Sequence, residues 1–146
     1  MATTLTTEVA GAVGRLTLDR PDSLNPLSFI ALDELVEAAR FFDDRPEVKV
    51  VVVSGRGRAF CAGMDLASFS GTPDRPPREG AEAGRAMVES IEAMRAVTIA
   101  AVHGHCVGGG VLLAGACDLR VAAASTRFSI PEVDLGVPLT WGGIPR

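Results

Sequence analysis

The chain lacks several residue types on which particular chemistries depend. It contains no tyrosine, so no phenol can serve as an acid or a nucleophile. Lys49 is its single lysine, and no G-x-x-x-x-G-K-[ST] motif is present, which argues against a Schiff-base enzyme and a P-loop nucleotide binder. The three cysteines, Cys61, Cys106 and Cys117, are odd in number and show no C-x-x-C spacing. They therefore favour reduced thiols in a cytoplasmic protein.

Long apolar runs and a surplus of positive charge are also missing. No apolar stretch reaches about 18 residues, so we expect neither a transmembrane span nor a membrane partner. The net charge is -4, with 14 basic and 18 acidic residues, which disfavours a nucleic-acid partner. Hydrophobic residues make up 47% of the 146 positions, enough to bury a core. The composition predicts one globular domain over residues 1–146.

Strand-like and helix-like segments alternate along the chain. Four segments have the composition of strands, namely residues 9–19, which fit a strand pair or a bent strand, and residues 48–53, 97–102 and 118–122. Three have the apolar spacing of helices, namely residues 28–42 with Ser28 as N-cap, residues 79–95, and an apolar segment ending near residue 116. The proline-rich residues 68–78 indicate a mobile surface loop. This alternation predicts an α/β fold with largely parallel strands.

Two glycine-bearing turns each follow a buried strand and lead toward a helix. They span residues 54–66 and 103–110, and the second ends in three consecutive glycines. Because the first N–H groups of a helix have no intrahelical partner, two such turns brought together could hold an oxyanion. The alternative is that the glycines only permit tight turns and close packing. Neither turn spells G-x-G-x-x-G, so a dinucleotide fingerprint is a weaker explanation.

Five segments resemble the crotonase superfamily, the enoyl-CoA hydratase/isomerase family. They are LTLDRPDSLN at residues 16–25, RAFCAGMDL at 58–66, AAVHGHCVGGG at 100–110, CDLRVAA at 117–123 and FSIPEVDLG at 128–136. These segments occur in the family's order and approximate spacing over nearly the whole chain. The resemblance implies a crotonase-like ββα spiral, which is a fold of the α/β class.

The resemblance also implies a substrate and a site. The family binds an acyl-CoA thioester and polarises its carbonyl with two backbone N–H groups, which here fall on Met64 and Gly109. Coenzyme A enters as part of the substrate, and neither a separate cofactor nor a metal is implied. Residues at the positions that contact the CoA or the acyl group are Ser23, Leu24, Arg58, Ala62, Leu66, Gly108, Leu112 and Trp141.

One of the family's two catalytic carboxylates is missing. The hydratases that this chain resembles place one glutamate after the glycine triplet and another after the Ser-x-Pro segment; Leu112 occupies the first position here and Glu132 the second. Syn addition of water needs both groups, whereas a single carboxylate can abstract an α-proton and return it two carbons along. The sequence is thus more isomerase-like than hydratase-like. Asp134 is a weaker candidate for a second carboxylate.

The chain is short for the family that it resembles. Family members continue past the position of Arg146, complete the spiral and add a C-terminal helical region that covers the acyl site and helps to form trimers. We therefore expect an incomplete core that is truncated before the C-terminal region and that exposes apolar surface. If that region is supplied, we expect a trimer-based homo-oligomer. A non-catalytic or degenerate fragment that binds CoA esters weakly, or needs a partner chain, is the alternative.

Overall fold

A computed structural model describes residues 3–70, 76–136 and 138–143 of the chain. Over these residues, helices pack against a mixed sheet. The strands are β1 (Leu5–Ala10), β2 (Val13–Leu18), β3 (Val50–Gly55), β4 (Val97–Val102), β5 (His105–Val107), β6 (Leu119–Ala122) and β7 (Arg127–Ser129). The helices are α1 (Phe29–Asp43), α2 (Leu66–Ser70), α3 (Pro77–Glu92) and α4 (Gly109–Ala116). After the first hairpin, strands and helices alternate broadly as the sequence predicts, although α2 is followed directly by α3, β4 by β5 and β6 by β7.

Five of the strands form the main sheet, in the order β1-β2-β3-β4-β6. β1 and β2 are an antiparallel hairpin turned at Gly11, whereas β2, β3, β4 and β6 are parallel to their neighbours. The predicted parallel pairing is confirmed. Because parallel strands end at one edge, the turns after β3 and β4 leave the sheet side by side.

The long helix α1 begins and packs for reasons that are visible in its sequence. Ser28 Oγ accepts a hydrogen bond from Ala31 N at 3.2 Å, which confirms the predicted N-cap. The buried face of the helix ends in Phe42, whose ring lies on β2 at Gly14, where a Cβ atom would come within 2.6 Å of the ring. α3 packs against α1 and α4, so these helices cover one side of the core.

Three sequence predictions about secondary structure need correction. The first strand begins at Leu5 rather than at residue 9, because the polar Thr6 and Thr7 belong to an edge strand that pairs with β2. Part of the predicted loop over residues 68–78 is helical: α2 ends at Ser70, and α3 begins at Pro77, a residue favoured in a first helical turn. Residues 71–75 lie outside the described part of the chain. The three-residue strand β5 lies within the second predicted turn.

The outer strand of the sheet exposes large apolar side chains. On β6, Leu119 is 54% exposed and Val121 is 65% exposed, and Phe128 on β7 is 55% exposed. This agrees with the expectation of exposed apolar surface. Within the described residues, no helix is both long and apolar enough to cross a membrane.

We expect the isolated chain to self-associate through this exposed edge, because apolar side chains on an edge strand favour contact with another copy. Size-exclusion chromatography at increasing concentration should show a shift toward larger species. Val121→Lys should reduce that shift, whereas Val9→Lys on the opposite edge strand, where Val9 is 38% exposed, should not. A concentration-independent monomer would contradict the prediction.

Candidate active site

The two glycine-bearing turns are joined by backbone hydrogen bonds. Cys61 N donates to His105 O at 3.1 Å, and Val107 N donates to Cys61 O at 3.0 Å. The first turn therefore pairs with β5 in a parallel bridge between Cys61 and Cys106. This short pairing holds the turn after β3 against the turn after β4, which the sequence pattern alone could not establish.

The other side of the first turn is anchored to the segment before α1. Leu27 N donates to Gly63 O at 2.7 Å, and Asp65 N donates to Leu27 O at 3.0 Å. These two hydrogen bonds flank the peptide bond between Gly63 and Met64, which carries Met64 N, and hold it in place. Gly63 has a φ of +88°, and a Cβ atom there would lie 2.7 Å from Val107 O, so the turn has no room for a side chain.

The two predicted amide donors lie close together and are unused. A Cβ atom built on Gly63, the residue before Met64, would lie 3.6 Å from Gly109 N, and both Met64 and Gly109 line the same pocket. In the described part of the chain, neither the Met64 N–H nor the Gly109 N–H donates to a protein acceptor. Both donors are available to a bound group.

The carboxylate of Glu132 lies beside the glycine triplet. Gly108 has a φ of +49°, and its Cα faces the Glu132 side chain so closely that a Cβ atom would collide with Oε1. The other oxygen, Oε2, is buried and is the one buried side-chain oxygen or nitrogen of the described residues without a hydrogen-bond partner. A buried polar atom without a partner is costly, and such atoms are typical of functional sites.

A small pocket of about 50 Å³ connects these groups. It is lined by Met64, Gly109, Leu112, Glu132, Pro138, Leu139, Thr140 and Trp141. The structure thus brings together five of the residues predicted from the sequence, two of them as amide donors, one as a carboxylate and two as apolar walls. The arrangement has the groups needed for proton transfer beside a polarised carbonyl.

Trp141 is buried in this pocket in an unusual backbone conformation. Its φ is +60°, which is rare for a bulky residue and costs on the order of 1–3 kcal/mol. The indole contacts Gly84 on α3 and Gly109 at the start of α4, and a Cβ atom at either glycine would collide with it. The packing of two helices therefore holds the ring over the first turn of α4.

The remaining predicted substrate contacts lie outside the pocket lining. Ser23 and Leu24 belong to the segment at the 3₁₀ turn Pro21–Ser23, where Leu24 O accepts a hydrogen bond from Ala62 N at 2.9 Å. Arg58 is exposed, and Leu66 is 69% exposed. Their predicted roles in holding coenzyme A stay predictions.

Two aspartates outside the pocket have structural roles. Asp65 caps α2 by accepting from Ala67 N at 3.2 Å, and it pairs with Arg20 at 3.0 Å. Asp118 accepts from the backbone N and the hydroxyl of Thr98 at 2.7 and 2.9 Å, and these hydrogen bonds lower the pKa of its carboxyl. Asp134 is exposed and does not line the pocket.

The three cysteines are buried and protonated near neutral pH. Burial raises the pKa of each of the Cys61, Cys106 and Cys117 thiols to about 12. A thiol in this state is a poor nucleophile and a poor metal ligand. Across residues 3–70, 76–136 and 138–143, no group of three or more His, Cys, Asp or Glu side chains is placed to hold a metal ion.

Two residues that support the site were not predicted from the sequence. Asn25 is buried, and its amide accepts from Arg20 N at 2.8 Å and donates to Arg56 O and Ala59 O, each at 2.9 Å, which ties the segment before α1 to the first turn. Gly84 makes room for Trp141. A glycine inside an amphipathic helix was the available signal, because it weakens the helix unless a close contact requires it.

Comparison with protein families and curated proteins extends this picture. A family model described as "Enoyl-CoA hydratase/isomerase" matches residues 8–145. The chain is 37% identical to a peroxisomal Delta(3,5)-Delta(2,4)-dienoyl-CoA isomerase of Arabidopsis thaliana, over 92% of this chain and 53% of that protein. It is also 37% identical to a crotonyl-CoA hydratase of Syntrophomonas wolfei, over 90% of this chain and 51% of that protein. The chain spans about half the length of these relatives.

Solved structures agree with the sequence matches. The crystal structure of an enoyl-CoA hydratase from Bacillus anthracis superposes with a TM-score of 0.90 at 30% identity, over 96% of this chain and 55% of that one. A putative enoyl-CoA hydratase from Streptomyces coelicolor gives a TM-score of 0.89 at 30% identity, over 100% of this chain and 56% of that one. The arrangement of strands, turns and helices described above is therefore shared with these proteins.

Proposed function

The chain belongs to the enoyl-CoA hydratase/isomerase family and has its crotonase-like α/β fold, and we propose that its site moves a double bond within an enoyl-CoA thioester. The Met64 and Gly109 amides would receive the thioester oxygen, and Glu132 would carry the proton. Coenzyme A is part of this substrate, so no separate cofactor is needed.

The observation that carries the proposal is the unsatisfied state of these polar groups. Glu132 Oε2 is buried without a partner, and two N–H donors in the same pocket have no acceptor among the described residues. A folded chain tolerates such groups where a ligand supplies their partners. A thioester oxygen fits the donors, and an acidic C–H group fits the carboxylate.

Each group has a defined part in the proposed reaction. The Glu132 carboxylate removes a proton from the α-carbon of a 3-enoyl thioester, and the electron pair of that C–H bond moves onto the thioester oxygen as a dienolate. The two amides stabilise this developing negative charge, a contribution of about 3 to 4 kcal/mol for one donor in other enzymes. Glu132 then returns the proton to the γ-carbon, which yields the conjugated 2-enoyl thioester without net gain or loss of atoms.

Leu112 is the reason for placing isomerisation ahead of hydration. Its side chain is buried and lines the pocket that Glu132 also lines. Hydration needs one group to activate water and another to exchange the α-proton, and an alkyl side chain does neither. Of the two reactions, only proton transfer between carbons proceeds with one carboxylate.

The proposal is tested by offering the chain 3-enoyl-CoA and 2-enoyl-CoA in parallel. We expect the 3-enoyl thioester to give a conjugated product, followed by its ultraviolet absorbance, while the 2-enoyl thioester gains water slowly or not at all. Leu112→Glu should raise the hydration rate by supplying a second carboxylate. Fast hydration by the unaltered chain, or an untouched 3-enoyl substrate, would contradict the isomerase proposal.

A non-catalytic protein that binds CoA esters is the second candidate, and Leu112 favours it because a carboxylate is missing. Calorimetric titration with a saturated acyl-CoA separates the two functions. Binding without turnover of either enoyl substrate would support the binding protein. Turnover that depends on Glu132 would exclude it.

A further inference from the structure

The indole of Trp141 occupies a notch formed by two glycines on different helices. A Cβ atom at Gly84 on α3 would collide with the ring near Cγ, Cδ2 and Cε2, and one at Gly109 on α4 would collide with it near Cζ3. The whole length of the indole is thus in contact with backbone. Because α3 and α4 also pack against each other, the ring cannot slide aside without separating them.

The space that remains beside the ring is small. The pocket measures about 50 Å³, roughly a third of the ~150 Å³ apolar cavity that holds a benzene ring. Its other apolar wall is formed by Leu112 and Leu139, and both of these side chains also contact Gly143. Met64, Gly109 and Glu132 line the same space, so little room is left beside them for an acyl chain.

We propose that Trp141 is a specificity-determining residue that limits the site to short acyl groups. This inference rests on the proposed function, because it assumes that the pocket receives the acyl chain of a CoA thioester. An acyl chain that extends toward Trp141 would meet the packed indole, and extra methylenes in a packed site are disfavoured. Removal of the indole would extend the pocket toward Gly84.

The sequence provides a direct optical probe of this wall. Trp141 is the single tryptophan, and the chain has no tyrosine, so indole emission reports on this pocket alone. A short acyl chain that contacts the ring should change the emission on binding. Unacylated coenzyme A, which carries no acyl group, should change it much less.

The experiment measures the affinity of saturated acyl-CoA thioesters of increasing chain length by calorimetry. For the unaltered chain we expect affinity to fall on the order of tenfold once the acyl group exceeds the pocket. Trp141→Ala should move this decline to longer chains, and Trp141→Phe should move it less. Gly84→Ala keeps the indole but pushes it toward the pocket, so it should weaken even short thioesters. Gly115→Ala is the control, because nothing lies within 4 Å of the added methyl group.

The outcomes separate this inference from the function on which it rests. If no thioester of any length binds, the proposed function fails and the inference fails with it. If all lengths bind the unaltered chain equally, Trp141 does not limit the pocket, although acyl-CoA binding stands. The dependence of affinity on chain length is measured in the unaltered chain, so the test remains valid even if the Trp141→Ala variant does not fold.

Discussion

Glu132→Gln should reduce the rate of double-bond migration by about a hundred- to ten-thousandfold, the usual range for loss of a general acid-base group. The amide has nearly the shape of the carboxyl, so the contact with Gly108 is retained. It cannot accept and return a proton at the same position. Absorbance of the conjugated product would give kcat and KM, and we expect the loss to lie in kcat.

The matched control for this substitution is Asp134→Asn, which also neutralises a carboxylate, two residues along the chain. Asp134 is exposed and lies outside the pocket lining, so its variant should retain the activity of the unaltered chain. If the Glu132→Gln variant also retained the activity of the unaltered chain, Glu132 would have no part in the reaction. A loss confined to Asp134→Asn would move the proton-transfer role to that residue.

Gly109→Ala should lower kcat by on the order of a hundred- to a thousandfold, comparable to the removal of one oxyanion donor. The added methyl group would collide with the Trp141 indole, so the first turn of α4 must shift and carry its N–H away from the Met64 amide. Alanine otherwise favours a helix by about 1 kcal/mol over glycine. Any fall in the free energy of unfolding, measured in urea, would therefore report the collision.

Gly115→Ala in the same helix is the control for helix propensity. Nothing lies within 4 Å of its added methyl group, so the variant should be unchanged in activity and somewhat more stable to urea. Comparison of the activity and stability of Gly109→Ala with those of Gly115→Ala separates the collision with Trp141 from the effect of alanine on helix propensity. Full activity in Gly109→Ala would mean that this amide does not stabilise the reacting oxygen.

Local sequence was sufficient to predict most elements of the fold, because their signals come from residues close together in the chain. The cap at Ser28 and the apolar spacing after it predict α1 within one residue at its C-terminal end, and Val97–Val102 is a strand with the predicted bounds. β5 could not be found this way. It is three residues long and exists because Cys61 and β7 pair with it from distant parts of the chain.

The candidate site divides in the same way. The resemblance to the family predicted Met64, Gly109, Glu132, Leu112 and Trp141, since it depends on short motifs that can be read without coordinates. The contacts between those motifs were beyond the sequence. That Glu132 faces Gly108, and that Gly84 makes room for the indole, follows from which helices pack together.

The sequence by itself determined the family, the alternation of strands and helices, and the replacement of one carboxylate by Leu112, because all three are properties of residue identity and spacing. The tertiary structure decided which polar groups meet without partners and how much space remains beside them. Hydrogen-bond satisfaction and cavity size depend on packing between segments remote in the chain, such as residues 61–64, 105–109 and 132–141. For this protein, the family is therefore readable from motifs, whereas the space beside Glu132 is set by packing.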